Sequence, residues 1–254
     1  MENANVTLEN TPALAISELT KAYGKQVVIR DLNLTVERGE VFGFIGRNGT
    51  GKSTTIGCMV GLKPFKKGRI LIGGHDIQQD TIEAKKLLGY VPSEPSCYEM
   101  MTGREFLSFI ASAFGLTAEA FDTRIQELVA RFDFNPVDLD RRIGHYSLGM
   151  KQKISLMSAL VHDPLLWVLD EPTIGLDAPA TAELAHTLRQ QAKEGRSVFI
   201  TSHSIEFVAR CCDRVAILAQ ENVARIVDLR GGETFADLKL AYDTICLNRS
   251  EAQA

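Results

Sequence analysis

The sequence lacks the features of a membrane-spanning or secreted chain. In its 254 residues no apolar run reaches the roughly 18 to 20 residues that cross a bilayer as a helix. The amino-terminal segment has neither the basic start nor the apolar core of a signal peptide. We therefore expect a soluble chain, which would serve a membrane process only by docking onto a protein that lies in the membrane.

Excess positive charge is missing as well. The 28 Lys and Arg residues face 32 Asp and Glu residues, so the formal net charge is −4 and gives no electrostatic case for a nucleic-acid partner. The cysteines are few, odd in number and without the spacing of a zinc site or a redox pair, which favours reduced thiols in a cytosolic protein. They are Cys58, Cys97, Cys211, Cys212 and Cys246.

The apolar residues, in contrast, are abundant and patterned. At 45% of the chain they suffice for a sizeable core. Short alternating or continuous apolar runs predict strands over residues 14–19, 26–36, 41–45, 165–169, 197–200 and 215–218. Gly24, Lys25 and Asp31 are the turn residues predicted near the first two strands, which we expect to be antiparallel. The third strand runs into a glycine-rich loop, and a helix is predicted from Lys52 to near Gly61.

A region of different character follows, because apolar residues in residues 102–162 recur at helical spacing. We expect one 254-residue domain with an α/β core and amino-terminal β subdomain over residues 14–92 and 164–230. A helical subdomain over residues 93–163 is inserted into it. A carboxyl-terminal tail covers residues 231–254, in which residues 235–242 predict a short helix.

A complete phosphate-binding pattern lies between the third strand and its helix. The spacing Gly46-x4-Gly51-Lys52-Ser53 surrounds phosphate oxygens with backbone N–H groups and a helix amino terminus. We expect Lys52 to neutralise the β- and γ-phosphates of ATP and Ser53 to place its hydroxyl on Mg²⁺. An ordinary glycine-rich turn explains the strand, loop and helix order less well. The predicted binding residues are Gly46, Arg47, Asn48, Gly49, Thr50, Gly51, Lys52, Ser53 and Thr54.

Two carboxylates end the apolar run of residues 165–169. We expect Asp170 to bind Mg²⁺ through water, and Glu171 to be the general base for the water that attacks the γ-phosphate. An acidic pair after a strand is, by itself, more often a solvated turn. The phosphate loop upstream favours the catalytic interpretation.

Ser147 and Gly149 suggest a second anion-binding helix start. The segment Tyr-Ser-Leu-Gly-Met-Lys-Gln over residues 146–152 opens a helix with a serine cap. A nucleotide that is already enclosed by its own phosphate loop does not need a second helix amino terminus. We therefore expect two subunits to pair head to tail, so that Ser147 of each subunit contacts the ATP of the other. A plain helix cap accounts for Ser147 alone equally well.

Taken in order, these motifs resemble those of the nucleotide-binding subunit of ATP-binding-cassette (ABC) transporters, over roughly residues 14–230. The resemblance implies an α/β fold: a P-loop (RecA-like) ATPase core with an amino-terminal antiparallel β subdomain and an inserted α-helical subdomain. It also implies that Tyr23 stacks on adenine, that Asp177 belongs to the D-loop, and that His203 is the switch histidine that acts with Glu171. Alone, Tyr23 and His203 would be an ordinary half-exposed tyrosine and a satisfied polar residue.

Two positions depart from the family pattern. Leu148 stands where the signature usually has glycine, although Ser147 and Gly149 are kept, and we expect function to survive. Ser93 stands where the family usually carries a glutamine that contacts Mg²⁺ and water. Because a serine side chain is too short to span the same gap, the hypothesis is that Ser93 makes no direct Mg²⁺ contact. A water or Glu94 would then fill the gap, or hydrolysis would be slower and coupled differently.

The motif set is most similar to that of stand-alone subunits of bacterial ABC-2-type exporters. That resemblance implies a Mg²⁺-dependent ATPase at the cytoplasmic face of the membrane, paired as a homodimer or heterodimer, which drives a separate multi-span permease. Residues 98–114 would receive a helix of that permease, although a place in the core explains each of Phe106, Phe109 and Ile110, taken alone, slightly better. The cargo is chosen by the membrane protein.

Two other functions compete with transport. An ABC ATPase acting in translation would carry two cassettes in one chain, and one acting on chromosomes would carry a long coiled coil between its motifs; the sequence has neither. The second competitor is a nucleotide sensor that binds ATP and barely hydrolyses it, which Ser93 motivates.

Overall fold

The computed structural model describes residues 11–246, and in that range the chain forms ten strands and eight α-helices. The strands are β1 Leu14–Tyr23, β2 Gln26–Val36, β3 Val41–Gly46, β4 Lys67–Ile72, β5 His75–Asp76, β6 Leu88–Val91, β7 Leu166–Asp170, β8 Ser197–Thr201, β9 Arg214–Ala219 and β10 Asn222–Asp228. The helices are α1 Lys52–Met59, α2 Thr81–Lys86, α3 Gly103–Ala113, α4 Ala118–Arg131, α5 Leu148–Leu160, α6 Ala178–Lys193, α7 Ile205–Cys211 and α8 Phe235–Cys246.

The smaller sheet is antiparallel, with strand order β2-β1-β4-β5. Gly24 and Lys25 form the predicted turn between β1 and β2. Asp31 was expected in a turn, and that prediction is wrong because Asp31 lies inside β2 at an irregularity of the strand register. Its φ of 46° is left-handed, and its carboxylate accepts hydrogen bonds from Lys67 and Thr20, which hold this bulge.

The larger sheet has the strand order β10-β9-β3-β8-β7-β6. Its strands from β9 to β6 are parallel, and β10 adds an antiparallel edge. Every residue of β3, β7 and β8 is buried, as expected for strands covered on both faces. Because β8 lies between β3 and β7, the carboxyl ends of these three strands open at one edge of the sheet.

Hydrophobic cores fill both faces of this sheet. On the face toward the antiparallel sheet, Phe44 and Phe199 lie with ring centroids 5.2 Å apart. On the other face, the buried Trp167 of β7 meets Phe132, at the end of α4, with centroids 6.4 Å apart. The core of this second face also takes in buried side chains of α3, α4 and α5. The helical region is thereby fixed to the sheet that carries the strand ends.

Side-chain caps begin the helices of the predicted helical region. Thr102 and Glu105 form a capping box at α3, and Thr117 caps α4. The predicted helical spacing of residues 106–113 and 121–132 is confirmed. The boundaries of that subdomain at residues 93 and 163 stay a prediction.

The helix predicted over residues 235–242 is confirmed as α8, which extends to Cys246. Residues 1–10 and the last part of the predicted tail, residues 247–254, lie outside the described residues. Among the helices that the structure describes, none combines the length and apolarity needed to cross a membrane.

Candidate active site

The glycine-rich loop connects the buried strand β3 to helix α1. Gly51 has a φ of 107°, and a Cβ atom at this position would lie 2.9 Å from the backbone oxygen of Val28. At Gly46, a Cβ atom would lie 2.7 Å from the backbone oxygen of Leu218. Both positions therefore require glycine, one for its left-handed backbone and both for the close approach of neighbouring strands. The loop is consequently held tightly against the sheet edge.

Lys52, the first residue of α1, is buried at this edge. Its Nζ donates hydrogen bonds to the backbone oxygens of Gly46 at 2.7 Å and Arg47 at 3.2 Å. Burial lowers the pKa of the Lys52 ammonium from its ordinary value, whereas the nearby Glu171 and Asp170 carboxylates oppose that shift. The site thus pairs a cation at the start of α1 with two carboxylates, one on β7 and one just beyond it.

The two carboxylates are arranged by a single hydroxyl group. Asp170 ends β7 directly opposite Thr201, the last residue of β8. The Thr201 hydroxyl donates to Asp170 Oδ1 at 2.6 Å and accepts the backbone N–H of Glu171 at 3.0 Å. Glu171 has a left-handed φ of 51°, so the chain turns sharply as it leaves the strand.

Glu171 and His203 are in direct contact. Glu171 Oε2 accepts the backbone N–H of His203 at 3.1 Å, and His203 Nε2 lies 3.1 Å from Glu171 Oε1. Burial raises the pKa of the Glu171 carboxyl, and the neighbouring His203 and Lys52 oppose that rise. A carboxylate whose pKa is raised by burial is better able to accept a proton near neutral pH, as a general base must.

These groups surround one cavity of about 330 Å³. It is lined by Val28, Asn48, Gly49, Gly51, Lys52, Ser53, Thr54, Ser93, Asp170, Glu171 and His203. The loop, the acidic pair and the histidine, separate in sequence, are thus brought together. Their individual roles stay predictions.

The oxygen donors of this cavity fit Mg²⁺. Within residues 11–246, no cluster of three or more His, Cys, Asp or Glu side chains could hold a metal ion unaided. Mg²⁺ is commonly held by one or two protein oxygens, with phosphates and waters completing its shell. Ser53 and Asp170, which both line the cavity, supply a hydroxyl and a carboxylate of that kind.

Ser147, Gly149 and Asp177 lie elsewhere, in a groove of about 710 Å³. Ser147 caps α5 as predicted, with its hydroxyl accepting the N–H of Met150 at 3.2 Å. Asp177 caps α6 in the same way through the N–H of Ala180. Both capping residues are exposed. Any role toward a nucleotide would therefore be exerted outside the cavity that holds Lys52.

Several predicted binding residues lie outside the cavity wall. Tyr23 ends β1, is 49% exposed and has the Lys21 ammonium 4.7 Å from its ring centroid, so its contact with adenine stays a prediction. Arg47 donates to the backbone oxygen of Cys246 at 3.1 Å, and the Thr50 hydroxyl donates to the Arg47 oxygen at 2.8 Å. Gly46 acts through its close packing, described above.

Two residues of the site were missed from the sequence. Val28 lines the cavity from β2, and no local pattern marks it among the apolar residues of that strand. Thr201 had a signal, because it is a polar residue at the end of an apolar run and two positions before His203.

Comparison with known proteins identifies the family. The family model described as ABC transporter matches residues 29–174. The linearmycin resistance ATP-binding protein LnrL of Bacillus subtilis (strain 168) is 36% identical over 232 residues, which cover 91% of this chain and 73% of that protein. The SkfA peptide export ATP-binding protein SkfE of the same organism is 33% identical over 205 residues, covering 81% and 84%.

A solved ATP-binding subunit of an ABC transporter superposes with a TM-score of 0.84 at 30% identity, covering 91% of this chain and 99% of that one. The expected fold, a P-loop ATPase core with an antiparallel β subdomain and helices, is confirmed. The chain belongs to the ABC transporter family. Within that family it is an ATP-binding and ATP-hydrolysing protein.

Proposed function

We propose that the chain is the ATPase subunit of an exporter, and that it dimerises head to tail around ATP to drive a separate multi-span permease. The observation that carries this proposal is the convergence of Lys52, Asp170, Glu171 and His203 on one cavity, while Ser147 lies in a different, exposed groove. The relatives named for linearmycin resistance and peptide export support the outward direction.

In this proposal the chain's own residues carry out γ-phosphate hydrolysis. Lys52 and the loop N–H groups bind the phosphates, and Ser53 and Asp170 hold Mg²⁺, which neutralises phosphate charge when bound. Glu171 accepts a proton from the attacking water as the water oxygen bonds to the γ-phosphorus. The bond from that phosphorus to the β–γ bridging oxygen breaks, and ADP and phosphate leave. His203 keeps the Glu171 carboxylate in place through its backbone N–H.

The position of Ser147 supports the head-to-tail dimer. Its hydroxyl and the start of α5 are exposed, and the groove they line shares no lining residue with the Lys52 cavity. A partner's ATP could reach both Ser147 and the amino terminus of α5, which favours an anion. ATP would then join the subunits, and hydrolysis at Glu171 would let them part.

The proposed function also includes a location in the cell and a surface that binds the permease. We place the chain at the cytoplasmic face of a membrane, bound to the permease through the surface formed by residues 98–114. Tyr98 and Phe109 on that surface are exposed, and their rings meet edge to face with centroids 6.0 Å apart. The permease would select the cargo.

Two measurements test this function. Steady-state ATPase activity is compared for the wild type, Glu171→Gln and an exposed control, Lys86→Ala. We expect Glu171→Gln alone to lose turnover while it still binds ATP, because the amide accepts no proton. Purification from native membranes should also recover a multi-span membrane protein. A wild type as inert as Glu171→Gln, or recovery of the chain without any membrane partner, contradicts the proposal.

A further inference from the structure

Thr201 occupies a position where packing alone does not demand a hydroxyl. It is fully buried at the end of β8, and the three residues before it, Val198–Ile200, are apolar and buried. Valine has nearly the same shape as threonine, so it would fill the same space. A buried hydroxyl is costly unless it is hydrogen-bonded, so the partners of Thr201 give the reason for its presence.

Those partners are the two carboxylate residues of the cavity. The hydroxyl donates its one proton to Asp170 Oδ1 at 2.6 Å and accepts the N–H of Glu171 at 3.0 Å. One group therefore fixes the side chain of Asp170 and the backbone of Glu171 at the same time. The bond to Asp170 is charge-assisted, which makes it the stronger of the two.

The backbone conformation of Glu171 depends on this support from Thr201. Its φ of 51° is left-handed, a conformation that an L residue adopts only when its surroundings hold it there. The segment from Thr201 to His203 contacts Glu171 twice, since Thr201 binds its N–H and the N–H of His203 binds Oε2. Thr201 thus supports the backbone of Glu171, and His203, just beyond β8, supports its carboxylate.

We propose that Thr201 is a positioning residue of the ATPase reaction, which sets the placement of Asp170 and Glu171 relative to each other. This inference rests on the proposed function, in which Asp170 holds Mg²⁺ and Glu171 activates water. Thr201 lies outside the lining of the cavity and acts through the two carboxylate residues.

The test compares Thr201→Val, which keeps the shape and removes the hydroxyl, with Thr201→Ser, which keeps the hydroxyl. We expect Thr201→Val to lower kcat on the order of 10- to 100-fold and to raise the Mg²⁺ concentration for half-maximal activity. The KM for ATP should stay within about threefold, because the phosphate loop is untouched. Thr201→Ser should restore kcat to within about threefold of the wild type.

Thr187→Val is the matched control, because Thr187 is a buried threonine on α6. It removes a buried hydroxyl away from the site, and we expect its kcat and Mg²⁺ dependence to match the wild type. An unchanged kcat in Thr201→Val, an equal loss in Thr201→Ser, or the same loss in Thr187→Val overturns the inference.

Glu171→Gln in the same assay distinguishes a failure of this inference from a failure of the proposed function. A wild type as inert as Glu171→Gln overturns the proposed function and this inference with it. An active wild type with active Thr201→Val overturns the inference alone.

Discussion

Arg47 in the phosphate loop donates a hydrogen bond of 3.1 Å to the backbone oxygen of Cys246, the last residue of α8. The carbonyl end of a helix carries partial negative charge, so a guanidinium is well placed there. The carboxyl-terminal helix is thereby tied to the loop that we expect to hold ATP phosphates. This contact connects residues 199 positions apart in the chain.

Replacing Arg47 with alanine should loosen α8. We expect faster amide hydrogen exchange across Phe235–Cys246, because the helix end loses its contact with the loop. Mass-spectrometric exchange measures this, and Arg104→Ala, which removes a surface ion pair with Asp140, is the control. Equal exchange in α8 for both variants would mean that the Arg47 contact does not hold the helix.

Replacing Ser93 with glutamine should change the Mg²⁺ dependence of hydrolysis. Ser93 lines the cavity with Ser53 and Asp170, and glutamine carries an amide farther into that space. We expect ATPase activity to reach half its maximum at a lower Mg²⁺ concentration, because the longer side chain supplies an oxygen near the metal. ATPase activity is titrated with Mg²⁺ at saturating ATP for the wild type and Ser93→Gln. Superimposable curves would show that the side chain at position 93 does not affect the Mg²⁺ dependence.

Replacing His203 with alanine should move the acid limb of the pH profile. Burial raises the pKa of Glu171, and the nearby His203 imidazole opposes that rise. Activity needs the ionised carboxylate, so it is present above the pKa of Glu171 and is lost as pH falls through it. Without the imidazole that pKa rises further, so we expect residual kcat to be lost at a higher pH than in the wild type. A limb that stays in place or moves to lower pH contradicts this.

Replacing Gln152 with methionine should destabilise the fold. Gln152 on α5 is fully buried, and its amide donates to the backbone oxygen of Pro172 at 3.0 Å, next to Glu171. Loss of this donor leaves the Pro172 carbonyl unpaired, whereas methionine also removes Gln152 Oε1, a buried atom that accepts no hydrogen bond from the described residues. The two effects partly offset, so we expect the free energy of unfolding to fall by about 1 kcal/mol in urea titrations. Gln126→Met on the exposed side of α4 should change it by less than about 0.5 kcal/mol. Equal midpoints for both variants would refute the role of this bond.

The phosphate loop and the acidic pair could be predicted because their patterns are local. Gly46 to Ser53 carries its geometry in consecutive residues, and Asp170 follows an apolar run that can only be a buried strand or helix. The order of motifs then assigned His203, which the structure places against Glu171. These features needed no knowledge of how distant segments pack.

Other parts of the fold depend on distant segments. Strand β4 begins with Lys67, Gly68 and Arg69 and gains its strand character from pairing with β1. Strand β10 is an edge strand with several exposed residues, so its apolar pattern is weak. The double contact of Thr201 depends on its register opposite Asp170, and the contact of α8 with Arg47 depends on where the chain returns. No sequence window contains these relationships.

In the homodimeric form of the proposed arrangement, ATP joins two copies of the chain, and Ser147 of one copy completes the Lys52 cavity of the other. Sedimentation velocity of Glu171→Gln, with and without Mg²⁺ and ATP, tests it most directly. Ser147→Arg added to Glu171→Gln blocks the exposed helix start, and Ser112→Arg on α3 is the control for the added charge. We expect an ATP-dependent dimer for Glu171→Gln alone and with Ser112→Arg, and a monomer that still binds ATP with Ser147→Arg. An ATP-dependent dimer that survives Ser147→Arg, or a Glu171→Gln protein that stays monomeric with ATP bound, contradicts the claim.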